Sequence, residues 1–176
     1  ARTYGIAKKT VIYAVKVLGD NGGGSYSWVA DAVDWISAEG AKPAVITMSL
    51  GGAGVRQSFD RTVNSATDNG VTVVVAAGNS NADACGYTPA FVPRAITVGS
   101  TTRFDARSWF SNYGPCLDIW APGSDIISTG TSAGVTDTKS GTSMACPHVA
   151  GAAALALELE PTLTGDDVSE MLKEWS

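Results

Sequence analysis

Imidazole is nearly absent from this sequence: His148 is the only histidine among 176 residues. Any proton transfer by histidine within the chain therefore rests on that one ring. Charge is also scarce, at 16% of residues with a net of −5, and the basic residues are scattered. That excludes a nucleic-acid partner, whose phosphates call for a basic stripe. No apolar run is long enough to span a bilayer. VAGAAALALELE comes nearest, but it is short, rich in alanine and ends in acids. Three cysteines, Cys85, Cys116 and Cys146, allow at most one internal disulfide. No signal peptide opens the chain, and ARTYGIAKK without Met suggests a processed chain or a fragment.

What is present is a globular composition, 44% hydrophobic, of a length that suits one α/β domain spanning 1–176. Short runs rich in β-branched residues predict buried strands at 11–18, 44–50, 71–77, 95–100 and 117–123. Helical patterns alternate with the first of them. Ser27 is placed to cap SWVADAVDWISAEG, with Trp28, Val29, Ala32, Val33 and Ile36 as its apolar stripe and Gly40 as its end. Ser58 is placed to cap a second helix, with Phe59, Val63 and Ala66 inward and Gly70 as the stop. Residues 142–159 read as a third helix and 164–174 as a fourth, capped by Thr164 with acids in its first turn. Strands with no alternating polar face are covered on both sides, which means parallel pairing. The prediction is a doubly wound, mostly parallel sheet with helices on both faces. Ligands of such sheets sit beyond the carboxyl ends of the strands. Three glycine-rich or polar stretches fall there: GDNGGGSYS, SLGGAG and AAGNSNADA.

Two residues in those surroundings could carry chemistry. Ser143, in SGTSMACPHVAG, sits where the third helix begins, and Pro147 is read as marking its first turn, where a missing N–H costs little. Ser143 is either a simple helix cap or a nucleophile in the positive field of the helix end. His148 does not serve it, because helix residues five apart are rotated by about 140°. His148 reads as a packed helix residue. Asn79 follows the strand 71–77 and is either a turn asparagine or an amide donor to an oxyanion opposite Ser143.

GTSMACPHVAG resembles the nucleophile motif of the subtilisin-like serine proteases, the subtilases, and AAGNSNADACGYTPA resembles their oxyanion-asparagine segment. ITMSLGG is similar to a substrate-binding strand. RTYGIAKK, VKVLGDNG, WFSNYG and IWAPGSDI extend the likeness, to the proteinase K branch, almost end to end. The resemblance implies Ser143 as nucleophile, with Asn79 and the Ser143 backbone N–H as oxyanion donors. It implies Ser49, Leu50 and Gly51 as one wall of a cleft, and Gly22, Gly23 and Gly24 as the other, with Tyr26 nearby. An extended polypeptide would lie between them as an added strand. Ala76, Ala77 and Gly78 would line a roomy apolar pocket of broad specificity.

The resemblance also implies a Cys85–Cys116 disulfide, worth about 3–4 kcal/mol by loop closure, and hence a secreted, extracellular protein. Cys146 is left as small-residue packing. No cofactor is expected for catalysis. A structural calcium is implied on the carbonyls of Pro93 and Ala95 and the carboxylate of Asp118, an all-oxygen set. Family triads run Asp, His, Ser, and this sequence begins after the first two motifs and stops before further strands. Asp20, Asp31 and Asp34 do not stand in the catalytic context. Three readings follow. The first is a serine endopeptidase core whose base and orienting Asp lie in upstream sequence or a second chain, with an upstream segment or propeptide completing the domain. The second is a peptide-binding module without catalysis. The third is a nucleotide-binding domain using GDNGGGS, opposed by its lack of a P-loop lysine, its spacing and the absence of an immediately following helix.

Overall fold

A computed structural model describes residues 3–176. In chain order the elements are α1 (Tyr26–Glu39), β1 (Ala44–Met48), β2 (Gly52–Ala53), α2 (Gln57–Asp68), β3 (Val71–Ala76), β4 (Tyr87–Thr88), β5 (Ile96–Thr101), β6 (Ile119–Pro122), β7 (Ile126–Thr129), β8 (Thr136–Lys139), α3 (Thr142–Leu159) and α4 (Gly165–Glu174). β1, β3, β5 and β6 form one parallel sheet in the order β1-β3-β5-β6. β2 pairs with β4, and β7 with β8, as small antiparallel ribbons.

The apolar run of β3 decides the layering. All six of its residues are buried, and side chains on a strand alternate between faces. Val71, Val73 and Val75 pack with Val29, Val33, Phe59 and Val63 of α1 and α2. Val74 and Ala76 pack on the other face with Ala145, Val149 and Ala153 of α3 and Val168 of α4. Helices thus cover both faces, as the sequence predicts.

Four local expectations fail, each for a tertiary reason. Residues 11–18 form no strand. Val11, Ile12 and Tyr13 are 70, 88 and 81% exposed, and only Val17 reaches the core. β-propensity expresses a fit to a pleated surface, and no described strand accepts this segment's hydrogen bonds. α1 starts earlier than expected, capped by Ser25, whose hydroxyl accepts from the Ser27 N–H at 3.1 Å. Tyr26 is drawn into its first turn by an edge-on contact with Phe59. Consequently α1 follows GDNGGGS at once, and its buried stripe is Val29, Val33 and Ser37, with Trp28 exposed. α2 begins after Arg56 with no side-chain cap, and Ser58 lies inside it. Finally, Pro147 falls beyond the first turn of α3, with a consequence for Ser143 described below.

α4 follows its sequence signature closely. The Thr164 hydroxyl accepts from the Asp167 N–H at 3.2 Å, while the Asp167 carboxylate accepts from the Thr164 N–H at 2.9 Å. The Thr164 hydroxyl and N–H together hold the Asp167 carboxyl below its usual value. Thr164→Ala should lower stability by about 1 kcal/mol in urea unfolding. A depressed native pKa stabilises above the unfolded value of about 4 and ceases to do so as pH falls through the native one. Asp167→Ala should therefore flatten the acid limb of the stability profile. An unchanged limb would show that the box contributes nothing.

Candidate active site

The carboxyl end of β3 and the start of α3 meet through one side chain. After Ala76 the chain turns at Gly78, with φ of +103°, and an added Cβ there would lie 2.5 Å from the Asn112 amide. Only glycine accepts both conditions. The next residue is Asn79. Its Oδ1 accepts from the Thr142 N–H at 2.8 Å and from the Thr142 hydroxyl at 2.9 Å. The Thr142 hydroxyl in turn accepts from the Gly78 N–H at 3.1 Å. α3 has a glycine, Gly141, at its N-cap and no side-chain cap of its own. Asn79 supplies that cap from 63 residues away. Its carbonyl oxygen is thereby committed, and its NH2 finds no partner among the described residues.

Ser143 is the second residue of α3, so its N–H is one of the donors that lack an intrahelical acceptor. Its hydroxyl donates to the Ser49 carbonyl over 3.3 Å, while the Ser49 hydroxyl donates to the Ser143 carbonyl at 2.9 Å. The second bond answers the misplaced proline. Pro147 has no N–H for the carbonyl four residues earlier, which is that of Ser143. Ser49 replaces the missing donor and fastens the end of β1 to the serine. His148 turns its Nδ1–H to the Met144 carbonyl at 2.8 Å, away from Ser143. Cys146 is buried against the Thr47 hydroxyl and the Val74 carbonyl, at 3.4 and 3.5 Å. Burial raises its thiol pKa, so it is a packed thiol rather than a thiolate. Asp20 pairs with Lys16 on the surface.

Ser49, Leu50, Gly51, Ala76, Ala77, Gly78, Asn79 and Ser143 line one open cavity of about 350 Å³. Gly22, Gly23 and Gly24 do not line it and stand in an exposed loop. Tyr26 lies behind its wall, with its hydroxyl donating to the Thr88 carbonyl at 3.4 Å. Gly52, Ala53, Tyr87, Thr88 and Thr142 also line the cavity, and none is singled out by the sequence. Asn112 was equally hidden. Fully buried, it donates to the Ala77 carbonyl at 2.8 Å and accepts from the N–H groups of Ser80 and Ala82 at 2.9 and 3.1 Å. Its sole cue is a polar residue between aromatics in WFSNYG. A Cys85–Cys116 disulfide joins the same two segments further on. Of the oxygen set expected for calcium, Asp118 has both oxygens engaged, Oδ2 by the Thr97 N–H at 2.8 Å and Oδ1 by the Lys173 ammonium at 2.6 Å. Among the described residues no group of three or more His, Cys, Asp or Glu is placed to hold a metal.

A helix-terminal serine and an asparagine amide of fixed orientation thus meet at the carboxyl end of a parallel sheet in an α/β fold. Residues 2–175 match the model of the subtilase family, and the chain belongs to that family. It is 55% identical over 97% of its length to an extracellular serine proteinase of Thermus sp. (strain Rt41A), covering 42% of that protein. It is 50% identical over 96% of its length to alkaline serine exoprotease A of Vibrio alginolyticus, covering 31% of it. A solved cold-adapted subtilisin-like serine proteinase superposes with a TM-score of 0.93 at 48% identity, over 97% of this chain and 62% of that one. The chain thus spans a third to two fifths of the curated relatives' length. None of its described helices is long and apolar enough to cross a membrane.

Because Asn112 carries the turn that positions Asn79, truncating it leaves buried backbone groups without partners. Asn112→Ala should cost about 2–3 kcal/mol in chemical unfolding. Amide exchange at Ser80 and Ala82 should accelerate more than exchange in β5. Equal acceleration throughout would mean a global loss with no local role.

Proposed function

We propose that this chain is the nucleophile-bearing core of a secreted serine endopeptidase acting on extended polypeptides. The Ser143 hydroxyl oxygen attacks the peptide carbonyl carbon, forming the new C–O bond. The carbonyl oxygen becomes an oxyanion between the Asn79 Nδ2–H and the Ser143 N–H. Collapse breaks the C–N bond, and the proton taken from the serine passes through a base to the departing amine, leaving an acyl-enzyme that water hydrolyses. The base and its orienting aspartate lie outside this chain, in an upstream segment or a second chain. Supporting this reading above all is the commitment of the Asn79 carbonyl to Thr142, because an asparagine so held has only its donor to offer. The small side chains of Ala76 and Ala77, with Gly78, suit a broad apolar pocket for the residue before the cut bond. The names of the relatives, serine proteinase and exoprotease, agree with the chemistry.

A second reading, a peptide-binding module without catalysis, draws on His148. The one imidazole stands five residues after Ser143 on α3, turned by about 140° from it, with its Nδ1–H on the Met144 carbonyl. The two readings part on one experiment. The 176-residue chain should hydrolyse peptide anilides at a negligible rate and resist fluorophosphonate labelling. Extended by its encoded upstream segment, it should gain a rate abolished by Ser143→Ala. In that longer protein Asn79→Ala should lower kcat by about 10²–10³ with KM little changed. A serine-dependent rate from the short chain would remove the need for an outside base. No rate from the longer one would favour the binding module.

A further inference from the structure

Outside the cavity, the unusual charge arrangement lies at the far end of α4. Two lysine pairs are local and wet: Lys16 with Asp20 and Lys139 with Asp137, all four side chains more than half exposed. Lys173 differs. Its Nζ lies 2.6 Å from Oδ1 of Asp118, a carboxylate whose side chain is only 19% exposed. Asp118 is rigidly placed, since its Oδ2 accepts from the Thr97 N–H and its own N–H donates to the Thr97 carbonyl at 2.9 Å. Lys173 is delivered to it by a docked helix. Val168 and Leu172 anchor α4 in the core, and at its other end Asp166 receives the Arg94 guanidinium, Nη2 to Oδ2 at 2.7 Å. Arg94 sits between Pro93 and Ala95, so α4 clasps this corner of the sheet at both ends.

A carboxylate mostly removed from water needs a counter-charge. We infer that the Lys173 ammonium is the resident cation at Asp118, a tethered charge standing where Pro93, Ala95 and Asp118 would otherwise receive calcium. Calcium takes six to eight oxygens at about 2.3–2.6 Å and gains most from charged ones. Here a single carboxylate would have to serve both a divalent ion and an ammonium already on its Oδ1. The two cations exclude each other, and the tethered one has the advantage of being held by the fold. The corner is thus made independent of free calcium at the cost of the metal's tighter grip.

The test uses the whole chain at constant ionic strength. Calorimetric titration with calcium chloride, and thermal unfolding with and without it, are compared for wild type, Lys173→Met, Lys173→Arg and the double variant Lys173→Met/Asp118→Asn. Wild type and Lys173→Arg should show no calcium-dependent rise in Tm at millimolar calcium. Lys173→Met should melt lower without calcium, recover with it, and bind the ion about tenfold tighter or more than wild type. The double variant should lose that response. Should Lys173→Met fail to fold without calcium, Lys173→Gln serves in its place. Equal calcium affinity in wild type and Lys173→Met, no binding by either, or a gain that survives Asp118→Asn would each overturn the inference.

Discussion

The arrangement around the cavity depends on the two hydrogen bonds from Thr142 to the Oδ1 of Asn79. A helix that starts on glycine has no side chain to accept its first N–H groups, and that deficit must be met from elsewhere. Asn79 meets it, and in doing so fixes which way its own amide faces. Capping the helix and orienting the Asn79 amide are therefore one constraint. The carbonyl end stabilises the fold, and the donor end stays uncommitted beside Ser143. An aspartate could cap the same helix but would bring a negative charge and no donor to the place beside Ser143.

A second deficit is met in the same manner. Pro147 leaves the Ser143 carbonyl without its helical donor, and the Ser49 hydroxyl fills the gap. The helix bearing the serine is thus joined to the ends of β1 and β3 through groups that its own sequence leaves unsatisfied. Asn112 and the Cys85–Cys116 bridge then lace the loop after Asn79 to the segment before β6. A site built this way is held by its surroundings rather than by loop stiffness, which is the condition for a preorganised donor to stabilise developing charge.

Much of this was legible in the sequence, and the boundary of legibility follows the range of the interactions. The burial of β3 and the cap of α4 are local or periodic properties, and both read correctly. The starts of α1 and α2 did not, because Tyr26 packs on Phe59 and Arg56 donates its N–H to Thr88, contacts that no window on the sequence contains. Residues 11–18 had the composition of a strand without a described neighbour to pair with. The serine and the asparagine stood out through their resemblance to a family motif. Their supports, Thr142, Asn112 and Ser49's hydroxyl, are ordinary polar residues whose meaning appears only when distant segments meet. The lysine on Asp118 belongs to the same kind.

The sequence separation of 63 between Asn79 and Thr142 also sets an order of events. α3 lies across β1, β3, β5 and β6, so its docking presupposes the sheet. Until then the Asn79 carbonyl is uncommitted and its amide free to rotate. An undocked α3 can display its serine, yet the donor opposite has no fixed orientation. Loop closure over such distances is a late gain in folding rather than an early one. No partly folded form lacking the α3 contact can hold the Asn79 amide in place beside Ser143, so the two sides of the cavity gain their mutual orientation in one docking step written into chain topology.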